Sequence, residues 1–432
     1  MQIPAIIKVL ILFTGIVVIY KLKVPLWIAL LFISLLAGLW FGASIEKTFQ
    51  YALKSASSPD TLFLCAVIIL IMGFSTMMDK TGVLKKIVGA FNDLLGKSMY
   101  SGAALPALIG LLPMPGGAVF SAPMVDAACG PGGKQTPEQK AAVNYWFRHI
   151  WEYWWPLYPG IILASSLFNI SSGKLFILHV PLTVGAVLSG WFFILRPAFK
   201  QDAAGECEAD DKPKGSFIST IRESTSIIIV LAAIFAVGPI LSATGVKGIQ
   251  VKYWPVIVGM MLGILWLSIS LKISVKNQIR YIFNKSMFSM VLMAVGVMMF
   301  RDILVDVNAF DYAQADLKAY HVPPIAVIAA LPFISGFILG LAIGFVGASF
   351  PLVISLIPAA AIHTDHRFAY LTLAYSFAYA GMMLSPVHLC LVMTKDYFKA
   401  EFAGIYKWII KPTTIIILMG LLLFSIYQKI LN

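Results

Sequence analysis

Residues 141–168 read AAVNYWFRHIWEYWWPLYPGIILASSLF. The run is apolar and longer than the roughly 20 residues that a helix needs to cross a bilayer. Pro156 and Pro159 interrupt it near its middle, and a proline inside a helix removes a backbone hydrogen bond. The sequence therefore predicts a membrane helix that is broken into two pieces.

The composition of the whole chain is that of a membrane protein. Of its 432 residues, 59% are hydrophobic and 12% are charged, whereas about a quarter of the residues of soluble proteins are charged. The net charge of +12 comes from basic residues in short loops between apolar runs, as the positive-inside rule describes, and does not indicate nucleic-acid binding. The four cysteines have no metal-ligand or CxxC spacing, and Cys65, Cys129 and Cys390 are interpreted as packing residues.

Other apolar runs predict the remaining membrane helices. The uninterrupted spans are expected at Ile3–Tyr20, Val24–Gly42, Asp60–Met78, Leu175–Leu195, Ser226–Leu241, Trp254–Leu271, Ser286–Leu304 and Tyr406–Ile426. The first of them is interpreted as a retained span and not as a signal peptide. A second broken helix is expected at 368–397, where Ser385 and Pro386 interrupt the run.

Two apolar segments that are rich in Gly and Pro, 101–125 and 323–357, are predicted to be re-entrant hairpins. Irregular backbone at membrane depth survives only where it is buried in protein or lines a watery cavity. The predicted fold class is therefore an all-α polytopic membrane protein with about ten crossings, two re-entrant helical hairpins and two discontinuous helices.

The two halves of the chain are predicted to be related repeats. The sequence matches itself at one offset, 230 residues. At this offset Gly117 aligns with Gly347 at the hairpin tips, and Pro156 aligns with Pro386 at the helix breaks. Each half is expected to contribute an odd number of crossings, so the second half must be inverted. Inverted repeats with paired, interrupted segments are typical of secondary transporters.

Charge sets the predicted orientation. The basic loops at 80–97 and 272–285 are expected to be cytoplasmic, which places both termini outside. The predicted domains are a first repeat at 1–199, a cytoplasmic linker at 200–215 and a second repeat at 216–432. The expected location is the plasma (inner) membrane of a prokaryote.

The solute site is predicted where the hairpin tips and the helix breaks meet. Free N–H groups at half-helix N-termini attract anions, and free carbonyls at C-termini attract cations. Glycine also permits a close approach of the backbone to a ligand. The residues predicted to bind the solute are Pro115, Gly116, Gly117, Ala118, Ser121, Gly347, Ala348, Ser349, Arg148, Pro156, Tyr158, Ser385, Pro386 and His388. The pattern favours an anionic solute, with H⁺ or Na⁺ as the coupling ion and no other cofactor.

A polar stripe is predicted on one helical face of the first broken helix, formed by Tyr145, Arg148, His149 and Glu152. In the functional interpretation, Arg148 contacts an oxyanion of the solute, and Glu152 or His149 carries a proton. In the alternative, Arg148 and Glu152 form a structural pair that neutralises itself, and His149 is a buried donor. The aligned positions of the second half are uncharged, which favours the functional interpretation.

Three motifs carry a resemblance to known proteins: LLPMPGGAVFSAPMV at 111–125, NYWFRHIWEYWWPLYPG at 144–160 and MLSPVHLCLVMTKDYF at 383–398. The chain resembles the ion transporter superfamily, which includes divalent-anion/sodium symporters, citrate and gluconate transporters and the large membrane subunits of TRAP transporters. The closer resemblance is to one branch, the domain-of-unknown-function family numbered 401. It implies re-entrant hairpins, discontinuous helices, a scaffold domain that often dimerises, and elevator-type alternating access. The tips lack the Ser-Asn-Thr of sodium-coupled dicarboxylate carriers, so dicarboxylate specificity and sodium coupling are not carried over.

The sequence thus predicts a secondary active transporter of a small, carboxylate-like organic anion, a homodimer in the lipid bilayer. Two alternatives stay open: a passive channel or exporter, and the membrane subunit of a TRAP-like system that depends on a binding protein. An enzyme is not expected, because no nucleophile or metal-ligand set accompanies His149 and Glu152. The loop residues His363, Asp365 and His366 are not expected to hold a metal, and no metal site is predicted.

Overall fold

A computed structural model describes residues 3–95, 99–111, 117–129, 135–199, 215–246 and 248–431. These residues confirm the all-α class and contain no β-strand. The helices of the first half are α1 (Ala5–Lys21), α2 (Leu26–Trp40), α3 (Ile45–Ala56), α4 (Pro59–Lys80), α5 (Val83–Leu95), α6 (Met99–Ile109), α7 (Ala118–Cys129), α8 (Pro137–Arg148), α9 (Pro159–Phe168), α10 (Ser172–Gly190) and α11 (Arg196–Phe199). A short π-helix, Trp191–Leu195, joins α10 to α11.

The second half also contains both short and long helices. Its helices are α12 (Phe217–Glu223), α13 (Thr225–Ala243), α14 (Ile249–Ser270), α15 (Val275–Ile282), α16 (Lys285–Asp306), α17 (Ala309–Ala319), α18 (Pro324–Leu339), α19 (Ala342–Leu356), α20 (Ala359–Ile362), α21 (Arg367–Met383), α22 (Leu389–Phe398) and α23 (Phe402–Ile430).

Five helices in the described part of the chain are long and apolar enough to cross a membrane: α4, α10 with its extension to Ala198, α14, α16 and α23. A sixth span is obtained if α12 and α13, which are bent by 71° at their junction, count together. These helices mark a membrane-embedded protein. Helices α1 and α2 occupy predicted spans, but at 17 and 15 residues they are shorter than the roughly 20 that a crossing needs. Length and composition therefore support five or six of the predicted crossings.

Both helices that were predicted to be broken are interrupted in the structure. Helix α8 ends at Arg148 and α9 begins at Pro159, while α21 ends at Met383 and α22 begins at Leu389. The first break is wider than the two prolines alone require, because the chain already turns at His149. Proline suits the first position of α9, because the N–H groups at a helix start have no acceptor within the helix and the missing N–H of proline costs no hydrogen bond there.

Several helix ends recur 230 residues apart. Helices α8 and α21 begin at Pro137 and Arg367, and helices α9 and α22 end at Phe168 and Phe398. Each of the latter two is followed by one residue in the left-handed conformation, a common way to end a helix. The two broken helices thus follow one local plan, at the offset that the sequence match indicated.

The predicted tip of the second hairpin is displaced. Helix α18 ends at Leu339 and α19 begins at Ala342, so the chain turns at Gly340, whose φ of 62° favours glycine. Gly347 lies inside α19, where an added Cβ would come within 2.4 Å of Val297 on α16. Glycine allows close helix packing there, as is common in membrane proteins. Gly347 therefore does not indicate a turn, although the sequence pattern suggested one.

Candidate functional site

A cavity of about 140 Å³ lies where the two helix breaks and the α18–α19 connection come together. Its polar lining among the described residues consists of Arg148, Glu152, Tyr158, His388 and Cys390. Most of the remaining wall is apolar, and includes Met72 of α4, Met290 of α16 and Met382 of α21. The site therefore combines residues from both halves of the chain.

Two glycines allow the backbones around the cavity to approach each other closely. An added Cβ at Gly160 would lie 3.0 Å from the backbone of Ala342, and one at Gly340 would lie 3.0 Å from the backbone nitrogen of His388. The start of α9 therefore meets the start of α19, and the α18–α19 connection meets the second helix break.

The non-helical segment 149–158 is buried, so its carbonyl groups need partners inside the protein. Side chains on α10 and α21 supply them at hydrogen-bonding distances between 2.6 and 3.0 Å. The donor and carbonyl pairs are Tyr379 with His149, Thr183 with Ile150, Tyr375 with Glu152, and His179 with Tyr153. The broken segment is thus held in a defined shape and is not merely a kink.

The tryptophans of the same segment tie it to α6 and the residues directly after that helix. The indole N–H of Trp151 donates to the carbonyl of Ala107, and that of Trp155 donates to the carbonyl of Leu111, each at 2.8 Å. An aromatic side chain with one N–H suits this environment, because its ring packs in apolar surroundings while its donor satisfies a buried carbonyl. This role explains the many aromatic residues in the motif.

Arg148 is the central cationic side chain of the site. It is the last residue of α8, and only 3% of it is exposed. Its carbonyl packs against Gly110, and its guanidinium packs against Gly117, where an added Cβ would lie 2.4 Å from Nη2. The guanidinium and the Cys390 thiol line the same cavity. The position of this buried charge is therefore set by the glycines at the end of α6 and the start of α7 together with the second helix break.

His149, His388 and Cys390 form a buried cluster beside Arg148. One potential ligand atom from each residue lies within 4.8 Å of the others. The two imidazole rings meet edge to face with centroids 4.8 Å apart, and both lie beside the Cys390 thiol. Residues from the two broken helices are thus in direct contact.

Tyr158 and Glu152 form the other polar side of the cavity. The Tyr158 hydroxyl donates to the carbonyl of Gly110, and the Tyr158 and Glu152 side chains both line the cavity. Glu152 Oε1 lies 3.9 Å from His149 Nε2. The carboxyl group therefore faces both the cavity and the histidine cluster.

The helical reasoning behind the predicted stripe was wrong, although its residues do converge. Tyr145 and Arg148 belong to α8, but His149 caps the helix and Glu152 lies in the turn that follows. The residues meet because the chain folds back at the break, and not because they share a helical face.

The other predicted site residues lie in different places. Gly117, Ala118 and Ser121 are buried at the start of α7, and the Ser121 hydroxyl bonds to carbonyls of its own turn. Gly347, Ala348 and Ser349 lie inside α19 and are not among the residues that line the cavity. Pro156, Ser385 and Pro386 shape the breaks without lining the cavity. Pro115 and Gly116 fall outside the described residues.

Sequence reasoning missed Cys390 and the methionines of the wall. Cys390 was interpreted as a packing residue, yet it contacts Arg148 and His149. The signal that was available is its position two residues after His388, at the start of the second half of a broken helix. The methionines carry no comparable signal, because apolar residues fill every span.

Comparison with known proteins adds one finding. Among curated proteins, none matches the chain. A family model described as protein of unknown function (DUF401) matches residues 5–427, nearly the whole chain, and confirms the resemblance to that branch. The protein whose broken helices enclose this cavity therefore belongs to the DUF401 family.

Proposed function

We propose that this protein is a secondary active transporter of a small organic anion, and that Arg148 binds the anionic group of the solute. The observation that carries the proposal is a buried guanidinium on a cavity at the meeting point of two helix breaks. Ionisable residues within a membrane are costly, and usually mark a pathway for a solute or an ion.

The composition of the wall supports a monocarboxylate with an apolar body. Arg148 is the one Arg or Lys among the described residues that line the cavity, and the apolar part of the wall includes Met, Leu and Ile side chains. A guanidinium matches the fork of a carboxylate, while the apolar part of the wall favours a hydrocarbon portion. A dicarboxylate would bring in a second charge for which the described lining offers no second Arg or Lys, at a considerable cost.

The recurrence of helix ends at one offset supports two inverted repeats with alternating access. Such transporters bind the solute between discontinuous helices that lie in corresponding positions of the two halves. In this proposal, the broken helices and the hairpins move as one body against a dimeric scaffold in the inner membrane of a prokaryote, with both termini outside. The transport is coupled to H⁺ or Na⁺, and Glu152 is the proposed proton carrier.

Binding of defined carboxylates tests this assignment. Butyrate and hexanoate are expected to raise the melting temperature of the protein in nanodiscs, because a saturating ligand stabilises the folded state by about 2–4 kcal/mol. Butyramide, which has the same shape and no charge, and the dianion succinate are expected to have little effect. Arg148→Ala should abolish the response to butyrate.

Arg301→Ala is the matched control, since Arg301 is partly exposed and pairs with Asp302 at 3.7 Å, away from the cavity lining. This variant should respond to butyrate as the wild type does. An equal response to butyramide and butyrate, or an unchanged response in Arg148→Ala, would show that Arg148 does not recognise a carboxylate.

A further inference from the structure

Metal-ligating side chains from the two helix breaks meet at the wall of the cavity. One potential ligand atom each from His149, His388 and Cys390 lies within 4.8 Å of the others, and all three residues are buried. From this cluster we infer a binding site for a transition-metal ion that prefers thiolate and imidazole ligands, such as Zn²⁺. The inference goes beyond the proposed transport function, which requires no resident metal.

Hydrogen bonds prepare His149 as a ligand. Its Nδ1 lies 2.6 Å from the carbonyl oxygen of Tyr145. A carbonyl only accepts, so Nδ1 carries the proton, and the neutral ring keeps its lone pair on Nε2. Metal-ligating histidines are commonly fixed in this way, with the other ring nitrogen donating to a carbonyl.

His388 is held in the same tautomer. Its Nδ1 lies 3.3 Å from the carbonyl of Met382 and 3.1 Å from the hydroxyl of Tyr145. That hydroxyl donates to the carbonyl of Met383 at 3.1 Å, so the hydrogen between Tyr145 and His388 belongs to Nδ1. Nε2 is therefore again the nitrogen with a lone pair.

The spacing of the cluster is close to that of a tetrahedral site. Zinc bonds of about 2.0–2.3 Å place the ligand atoms roughly 3.3–3.8 Å apart, so the cluster needs a contraction of about 1 Å at its widest, within reach of small side-chain rotations. Glu152, whose Oε1 lies 3.9 Å from His149 Nε2 and which also lines the cavity, lies beside the fourth position, which the three ligands leave open.

The charges around the cluster suit a divalent cation. A Cys390 thiolate and the Glu152 carboxylate together balance the two charges of the ion, and Arg148 contributes the remaining positive charge. Buried charges need such compensation.

Cobalt binding tests the site directly, because Co²⁺ replaces Zn²⁺ and reports its ligands by absorption. The metal-free full-length protein, purified without a histidine tag and placed in nanodiscs, is titrated with CoCl₂. We expect one equivalent to produce a thiolate-to-cobalt charge-transfer band and the visible bands of tetrahedral cobalt, and we expect Zn²⁺ to abolish both. Cys390→Ser should lose the charge-transfer band, and His388→Gln should bind at least tenfold more weakly.

Two controls separate this cluster from other thiols and imidazoles. A variant in which Cys65, Cys129 and Cys207 are replaced by Ser should keep both bands. His179→Gln should also keep them, since His179 is buried and has its Nδ1 2.7 Å from a carbonyl but does not belong to the cluster.

The variant that retains Cys390 as its one cysteine gives a second measurement, which needs no further substitution. In it, Zn²⁺ should slow alkylation of Cys390 by N-ethylmaleimide at least tenfold. The inference is wrong if the wild type gives no charge-transfer band with excess Co²⁺, if Cys390→Ser keeps the band, or if Zn²⁺ gives no protection. Because neither readout involves transport, these results leave the carboxylate proposal to be judged by its own test.

Discussion

At the residue scale, the room around Arg148 depends on glycine. The guanidinium packs directly on Gly117, and the carbonyl of the same arginine packs on Gly110. Neither contact follows from the conformational preferences of glycine, since neither residue has a positive φ in the structure. What matters at both positions is the absence of a side chain.

Gly117→Ala is therefore expected to displace the guanidinium, because the added Cβ would lie 2.4 Å from Nη2. We expect the affinity for butyrate to fall about tenfold, a loss of about 1.4 kcal/mol of binding free energy. Isothermal titration calorimetry measures this change. Gly173→Ala in α10 is the control, since an added Cβ there meets nothing within 4 Å; equal affinities of the two variants would show that Gly117 does not position Arg148.

The residues of this site were predictable only in part. The polar residues of the site stand out in an apolar sequence: Arg148, Glu152, Tyr158 and His388. Polar residues at membrane depth cost free energy and usually have a function. Cys390 does not stand out, since free cysteine is among the most often buried residue types. Its role depends on contact with the other half of the chain, which no local pattern records.

At the scale of elements, the broken helices persist because other helices satisfy their free carbonyls. The hydroxyl of Tyr375 on α21 donates to the carbonyl of Glu152 at 2.6 Å. The same side chain packs edge to face on Phe345 of α19. One tyrosine thus fixes both the break and the neighbouring helix.

Tyr375→Phe should lower the free energy of unfolding by about 1–3 kcal/mol, because it leaves a buried carbonyl without this donor. The melting temperature in detergent measures the effect. Tyr312→Phe in α17 removes a hydroxyl from a side chain that is 56% exposed, and it should change the melting temperature little. A loss of stability no larger for Tyr375 than for Tyr312 would contradict the assigned role.

Sequence patterns located the breaks but not their detailed form. Pro156 and Pro386 lie within the two breaks, as the loss of a helical hydrogen bond predicts. No proline marks the early turn at His149 in the sequence. Hydrogen-bond donors on other helices stabilise this turn instead. The turn of the second half was predicted too late in the sequence, because Gly347, which suggested a turn, instead packs against α16 from within α19.

At the scale of the molecule, two inverted halves require corresponding positions to lie on opposite sides of the membrane. Lys47 and Asn277 are both exposed, in helices α3 and α15 that begin 230 residues apart. A cysteine at 47 should react with an impermeant thiol reagent added to intact cells, and a cysteine at 277 should react only after permeabilisation. Each is tested in a background without native cysteines; labelling of both from one side would contradict the inversion.

Composition determined the class of the molecule, and the offset of 230 residues recurs in its helix ends. The number of crossings was less predictable, because helices such as α2 are apolar yet too short to span on their own. An apolar segment can contact either lipid or the protein core. Its apolar composition therefore does not distinguish a membrane crossing from a re-entrant segment.

Alternating access would carry a carboxylate across the membrane through the cavity at the helix breaks. Counterflow distinguishes this from passive flow: proteoliposomes loaded with unlabelled butyrate are diluted into a trace of labelled butyrate, with no ion gradient. A transporter of this kind should accumulate label transiently above its equilibrium level with the wild type and with Arg301→Ala, and should not do so with Arg148→Ala. Equilibration without such an overshoot would contradict alternating access and indicate a passive channel.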